Sequence, residues 1–444
     1  MPYNSAPRPS SSFKDQFTPK LITVLREGYG GADLRADVIA GLTVAVVALP
    51  LSMAIAIASG VGPERGLITA IIGGFLVSAL GGSRFQIGGP AGAFIVLVAA
   101  TVDQLGVEGL ILSTIIAGIA LFIAGLLRFG AYVKFIPYPV TVGFTAGIAV
   151  IIFASQIREL LGLTLAVKEP GALAPKLVAL WGGIETINPA AAALSLLVIA
   201  LIVGLRHLRP GVPGMLVAVA AATALTAGFD LPVETVGSRF GAPDAGLPMP
   251  SLPDITLDKV LAALPHGLAF ALLGSIESLL SAVVADGMTG ARHRSNCELA
   301  AQGVANVASA LFGGICVTGA IARTATNIRA GSRGPVSGLI HAVALLGFML
   351  VAGPLLAHAP LAALGGVLAV VAWNMAERHA FATLLRASRG DALVLLVTFL
   401  LTIFRDLTEG IVVGVALGAI LFLHRMSEAA RIEASIAHPE DPSG

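Results

Sequence analysis

Apolar runs of about twenty residues recur from Asp37 to Arg425, and short loops between them carry most of the charge. A run of that length crosses the hydrocarbon core of a bilayer as one helix. The pattern predicts fourteen spans, beginning near Asp37, Gly66, Gly89, Gly109, Pro137, Ala190, Val212, Leu261, Ser295, Gly319, Pro335, Pro360, Asp391 and Gly410. The expected class is therefore an all-α polytopic membrane protein. Residues 1–36 form an N-terminal segment, disordered to about residue 13, with a short amphipathic helix from Phe13 to Glu27. Spans 1–5 occupy 37–157, a loop 158–187, spans 6 and 7 188–228, a loop 229–259, and spans 8–14 260–427. A short tail, 428–444, ends the chain. The 229–259 loop is rich in Pro, Gly and Asp and separates two halves.

Two of the spans are broken. The stretch Phe85-Gln86-Ile87-Gly88-Gly89-Pro90-Ala91-Gly92-Ala93-Phe94 stands where the third should begin, and Phe312-Gly313-Gly314-Ile315-Cys316-Val317-Thr318-Gly319-Ala320-Ile321-Ala322-Arg323-Thr324 stands at the tenth. Ser78-Ala79-Leu80-Gly81-Gly82 precedes the first, and Ser309-Ala310-Leu311-Phe312-Gly313-Gly314 precedes the second. Seven spans separate the two breaks, an odd number, so equivalent helices run in opposite directions. Paired interrupted spans in an inverted seven-plus-seven repeat point to a transport site at the repeat interface. A half-helix that starts inside the membrane aims free N–H groups and its positive dipole end at such a site. Two of them make an anion site. Pro90 suits a first helical turn. Gly88, Gly89 and Gly92 admit a ligand to the backbone, although glycines taken singly serve close helix packing equally well.

Charge supplies the orientation. Of 27 Lys and Arg, 19 fall on the side of the two termini and 7 on the other, which puts both termini in the cytoplasm by the positive-inside rule. The remaining one, Arg323, is left inside a span. A cation there requires a partner or an anionic ligand, so Arg323 either sets a positive field for substrate or holds a carboxylate or helix end. Glu277 lies well inside the eighth span. It reads as a carrier of a coupling proton, or as a fixed ion pair locking spans 8 and 10. Asp103 and Asp286 read as solvated caps, Arg292-His293-Arg294 as an orientation signal and His341 as a packed core histidine.

Composition narrows the function classes. The 444 residues are 56% hydrophobic and 12% charged, about half the charged fraction of soluble domains. The net charge of +1 gives no footprint for nucleic acid. Cys297 and Cys316 are the only cysteines and have no disulfide or metal spacing. No apolar signal peptide precedes the first span. The Gly-rich stretches do not continue as Gly-Lys-Ser/Thr, so they are not phosphate loops. No nucleophile–base pair stands out. Neither an enzyme nor a cofactor is expected.

Several motifs resemble the sulfate permease (SulP) family of anion transporters. They are Gly88-Gly89-Pro90-Ala91-Gly92-Ala93, Ile276-Glu277-Ser278-Leu279-Leu280, Ala285-Asp286-Gly287-Met288-Thr289-Gly290, Ser295-Asn296-Cys297-Glu298-Leu299, Ile321-Ala322-Arg323-Thr324-Ala325 and Asn327-Ile328-Arg329-Ala330-Gly331. The resemblance implies a uracil-permease-like fold, with a core domain (spans 1–4 and 8–11) moving elevator-like against a gate domain (spans 5–7 and 12–14), and a homodimer. It implies a substrate contacted by Leu51, Ser52, Pro90, Ala91, Gly92, Ala93, Ile321, Ala322 and Arg323, with Glu277 as the proton-coupling group. Many sulfate-type members carry Gln where Leu51 stands. Leu49-Pro50-Leu51-Ser52-Met53-Ala54 is most similar to bacterial members that carry four-carbon dicarboxylates such as fumarate or succinate with protons. Sodium-coupled bicarbonate members have Asp in place of Glu277. Sulfate or bicarbonate transport and an anion channel are the alternatives. Family members usually end in a STAS domain; about twenty residues follow Arg425, so none is expected within this sequence.

Overall fold

The computed structural model describes residues 16–131, 137–166, 169–209, 211–241, 246–405 and 407–437. The expectation of disorder before residue 13 and the first residues of the predicted amphipathic helix lie outside them. That helix is present as α1, Lys20–Arg26, with Val24 buried. It is fastened to the protein: Lys20 N donates to Gly81 O at 2.9 Å, and Arg294 Nη1 donates to Thr18 O at 2.9 Å and Thr23 Oγ1 at 2.8 Å. Arg84 pairs with Glu27 at 2.9 Å. Burial, then the nearby Arg294, lowers the Lys20 pKa from its ordinary value.

The first half continues with α2 (Gly31–Ala58) and α3 (Pro63–Leu80, wound as a π-helix over Thr69–Gly73). Strand β1 (Gly88–Gly89), α4 (Ile95–Leu126), α5 (Tyr138–Leu161), α6 (Leu173–Gly182), α7 (Pro189–Leu208) and α8 (Gly214–Phe229) follow. The connection to the second half holds a short α9 (Val236–Phe240). Next come α10 (Leu257–Thr289), α11 (Ser295–Leu311), β2 (Thr318–Gly319), α12 (Ile321–Arg329) and α13 (Val336–Leu356). The chain ends with α14 (Leu361–Met375), α15 (Arg378–Ala387), α16 (Arg389–Phe404) and α17 (Leu407–Ala437).

Every predicted span start falls in one of these helices or within a few residues of one. Eight helical stretches among the described residues are long and apolar enough to cross a membrane, one of them, Leu361–Ala387, only when α14 and α15 are taken together. Predicted spans 3 and 4 fall on the two sides of a sharp kink at Gly106, where φ is +70° and the backbone is not helical, within the single stretch Gly92–Leu126. Spans 7, 9, 10 and 13 fall short in length, α8 and α16 having 16 residues, α11 17 and α12, which starts after the break, 9, while the described apolar part of span 14 is Leu407–Leu423. Some boundaries move. Helix α2 starts at Gly31, before the predicted Asp37, and α5 runs to Leu161, past 157. The expected loop 158–187 contains α6, and the 428–444 tail is helical to Ala437.

Local sequence accounts for many ends. Asn188 caps α7, its Oδ1 accepting from Ala190 N at 3.0 Å, with Pro189 in the first turn. Thr256 caps α10, and Gly290 closes it in the left-handed region at φ +73°. The turn into α11 is held by His293. Its backbone N and Nδ1 both meet Asp286 Oδ2, at 3.0 and 2.6 Å, while Nε2 meets Ser295 Oγ at 2.9 Å. Asp286 is thus more than a solvated cap, and His293 more than an orientation signal.

The described residues group into two units. The first spans 1–134, 159–162 and 187–368, and the second 135–158, 163–186 and 369–444. Within the first, α4 packs on α10 and α11, α2 on α13, and α12 on α10. The α4–α11 crossing is close because glycine meets glycine: a methyl on Gly303 would stand 2.6 Å from Gly118 O. Asp37, fully buried on α2, accepts from Tyr29 Oη at 2.7 Å and from the backbone N–H groups of Arg333 and Gly334. Burial and this carboxylate push the Tyr29 phenol upward. The unit boundary differs from the implied core and gate in two respects, the first being that α14, predicted span 12, is divided after Leu368. Spans 6 and 7, α7 and α8, fall in the first unit, because α8 packs against α2 and Ser195 Oγ of α7 donates to Ala362 O at 3.0 Å. In the second unit, α15 packs on α16, and α16 on α17.

Candidate functional site

The two broken spans meet. Strands β1 and β2 pair antiparallel, Gly88 opposite Gly319 and Gly89 opposite Thr318. Ala320 N extends the ladder to Ile87 O at 2.9 Å, and Ile87 N donates to Thr324 Oγ1 at 3.1 Å. Each half thus repeats one order: helix end at Leu80 or Leu311, a short strand, then a new helix at Gly92 or Ile321. The first new helix opens with a 3₁₀ turn, Gly92–Phe94, and neither it nor α12 is capped by a side chain. Their first-turn N–H groups therefore keep free hydrogen-bonding capacity, and each helix start contributes about half a positive charge.

Arg323, in the first turn of α12, is 2% exposed. Its Nη2 donates to Ser52 Oγ of α2 at 3.1 Å, and Ser52 Oγ donates to Ala48 O at 2.7 Å. Nε and Nη1 have no hydrogen-bond partner among the described residues. Buried donors in that state carry a desolvation cost that an acceptor would relieve. The guanidinium also lies against β1: a methyl on Gly89 would collide with Arg323 Nη1. Glycine is required there by close approach.

The predicted site residues divide by exposure. Leu51, Ser52, Pro90, Ala91, Ala93 and Arg323 are buried, Gly92 and Ile321 are half-buried, and Ala322 is exposed. The structure brings Ser52, the β1 glycines and Arg323 together. Glu277 is 8% exposed on α10, the helix that packs against β2. The links from that helix are made by serines the sequence reading passed over. Ser278 Oγ meets Thr318 Oγ1 at 2.7 Å and accepts from Gly319 N at 3.2 Å, and Ser281 Oγ meets Thr324 Oγ1 at 3.1 Å. Gly274, Ser278 and Ser281 share one face of α10 by the 3.6-residue period. That spacing is the one signal by which they were recognisable.

A second omission is Glu298, fully buried in the first turn of α11. Its Oε2 accepts from Gly82 N at 2.9 Å and Ser83 N at 3.0 Å, and its Oε1 from Gln86 Nε2 and Gln302 Nε2, both at 2.9 Å. Four donors on two oxygens satisfy an acceptor-only carboxylate. They fasten the segment that leads into β1 to α11. On the other strand, Asn306 does the corresponding work: its Oδ1 accepts from Val317 N at 2.9 Å and its Nδ2 donates to Val317 O at 2.8 Å. His341 is fully buried, and neither ring nitrogen has a partner among the described residues.

With this geometry in view, the comparisons with known proteins become specific. The sulfate permease family description matches residues 34–398. YvdB of Bacillus subtilis, provisionally named a sulfate transporter, is 44% identical over 424 residues, 94% of this chain and 80% of that one. The bicarbonate transporter BicA of Picosynechococcus is 34% identical over 411 residues, 89% of this chain and 71% of its own length. The solved transmembrane domain of a cyanobacterial BicA superposes with a TM-score of 0.78 at 33% identity, covering 86% of this chain and 98% of that domain. Murine Slc26a9, an anion transporter solved in an inward-facing state, shares the fold at 20% identity with a TM-score of 0.83.

Proposed function

The chain belongs to the sulfate permease family of anion transporters and is a multi-pass membrane protein, and from that premise we propose a secondary active carrier with its substrate site at the β1–β2 ladder. The observation that carries this reading is Arg323, buried beside two uncapped helix starts with Nε and Nη1 unpartnered. A guanidinium and two helix dipoles favour an anion and set its position, with Ser52 orienting the arginine. Leu51, Pro90, Ala91, Gly92, Ala93, Ile321 and Ala322 line the path of approach. Glu277 takes up and releases the coupling proton. Fourteen spans in a seven-plus-seven inverted repeat, cytoplasmic termini, a homodimer and elevator-like alternating access complete the proposal.

The substrate class follows from two lines of support. Leu51 and Glu277, by their resemblance to dicarboxylate carriers, favour proton symport of fumarate or succinate. The names of the relatives favour a second reading, an inorganic oxyanion such as bicarbonate or sulfate. Uptake of labelled succinate, bicarbonate and sulfate into proteoliposomes, with and without an inward pH gradient, separates them. Gradient-driven succinate uptake that sulfate and bicarbonate do not inhibit supports the first reading. Bicarbonate or sulfate uptake without succinate uptake replaces it with the second. Single-channel currents in planar bilayers would overturn the carrier mechanism, since carriers turn over too slowly to produce them.

A further inference from the structure

Helix α15, Arg378-His379-Ala380-Phe381-Ala382-Thr383-Leu384-Leu385-Arg386-Ala387, takes no part in the site described above. Its apolar face is held by the protein: the Phe381 ring meets Phe399 of α16 edge-on, with centroids 5.2 Å apart. Its other face is open. His379, Thr383 and Arg386, spaced i, i+4 and i+7, line a shallow cleft of about 460 Å³ floored by Ala382 and Ala387. Thr383 Oγ1 turns back to donate to His379 O at 2.8 Å, so the cleft's donors are the His379 ring and the Arg386 guanidinium.

Two neighbouring features give the cleft a chemical identity. Arg378 stacks on the Trp373 ring, 3.9 Å from its centroid, and Trp373 is 57% exposed at the end of α14. Arg389 is exposed at the start of α16. None of Arg378, His379, Arg386 and Arg389 forms an ion pair among the described residues. Two carboxylates lie near in sequence. Asp391 accepts from Ser388 Oγ at 2.7 Å in the cap of α16, and Glu377 precedes α15 in the left-handed region. The positive face thus has no ion-pair partner among the described residues.

Helix α15 joins α14 to α16, both strongly apolar, so it lies where the chain leaves and re-enters the bilayer. An amphipathic helix with an exposed tryptophan and basic side chains on its polar face sits at a membrane surface. Guanidinium groups there pair with phosphate oxygens. We propose that α15 carries a binding site for the phosphate headgroup of an anionic phospholipid, seated between His379 and Arg386 beside the Arg378–Trp373 pair.

The test uses the full chain carrying Trp181→Phe, which leaves Trp373 as the single tryptophan of the two in the sequence. The protein is reconstituted in phosphatidylcholine vesicles containing equal mole fractions of brominated phosphatidylglycerol or brominated phosphatidylcholine, and quenching of Trp373 is compared. Phosphatidylglycerol should be preferred at Trp373 by about fivefold for each basic group engaged. His379→Ala with Arg386→Ala should bring the two lipids toward equality. Arg386→Lys, which keeps the charge at an exposed position, should retain part of the preference and serves as the second variant if the double one is not monodisperse. Equal quenching by the two lipids in the parent, or an unchanged preference in the double variant, overturns the proposal. Loss of the preference on adding inorganic phosphate would assign the cleft to free phosphate and overturn it as well.

Discussion

Glu298 offers the sharpest test of how the site is held, because two substitutions that look alike should behave differently. Its carboxylate accepts four hydrogen bonds, from Gly82 N, Ser83 N, Gln86 Nε2 and Gln302 Nε2. Glu298→Ala leaves all four donors buried without partners, at about 1–3 kcal/mol each. Removing the carboxylate also removes the cost of burying its charge, so the low end is appropriate, about 4 kcal/mol of destabilisation. Glu298→Gln is different. Its oxygen can keep Gly82 and Ser83, while its new NH₂ faces Gln86 and Gln302. Both of those amides have an Oε1 that is buried without a partner. Turning each amide over presents that oxygen to the NH₂ and preserves the number of hydrogen bonds. What is lost is charge assistance, so the expected cost is below about 2 kcal/mol. Thermal unfolding of the purified protein in detergent, followed by loss of the monodisperse gel-filtration peak, measures the order. Glu298→Gln should melt near the parent and Glu298→Ala far below it. If the two variants melt together, or if Glu298→Ala melts with the parent, the account of the network is wrong.

Other outcomes follow from the same geometry. Arg323→Ala should weaken anion binding about 100-fold, through loss of charge-assisted bonds worth about 1.5–3 kcal/mol each; competition binding reads this, and unchanged affinity would leave Arg323 a structural role. Glu277→Gln should bind anion yet show uptake indifferent to an inward pH gradient, and full gradient dependence in this variant would remove Glu277 from coupling. Gly89→Ala places a methyl against Arg323 Nη1. It should lower affinity and also the unfolding temperature, because φ at Gly89 is +157° and the buried guanidinium must shift; normal affinity would show that the guanidinium has room to move. Gly303→Val should destabilise the protein by about 1–3 kcal/mol or more through overpacking at the α4–α11 crossing, visible as earlier thermal unfolding.

Much of this architecture was legible along the chain. Hydropathy alone located a helix at or near every predicted start, because a bilayer demands apolar runs of fixed length and helical backbone within them. The two Gly- and Pro-bearing breaks marked where helices had to restart, and Arg323 stood out because a cation is costly in an apolar span. Hydropathy did not disclose how sharply the chain kinks at Gly106, between spans 3 and 4. Nor did it disclose the boundary that groups α7 and α8 with the first unit. Apolar length carries no information about which faces pack together.

The sequence by itself determined that this protein is a helical membrane protein with two interrupted spans and one buried arginine, since each of those follows from local composition and period. Only the tertiary structure decided what surrounds the breaks. Residues far apart in the chain had to be brought into register before Gly88 could pair with Gly319, Ser52 with Arg323, or Gln86 with Glu298. A hydrogen bond across more than 200 residues leaves no mark on either residue's neighbours in sequence. It exists because burial leaves each polar group no other partner.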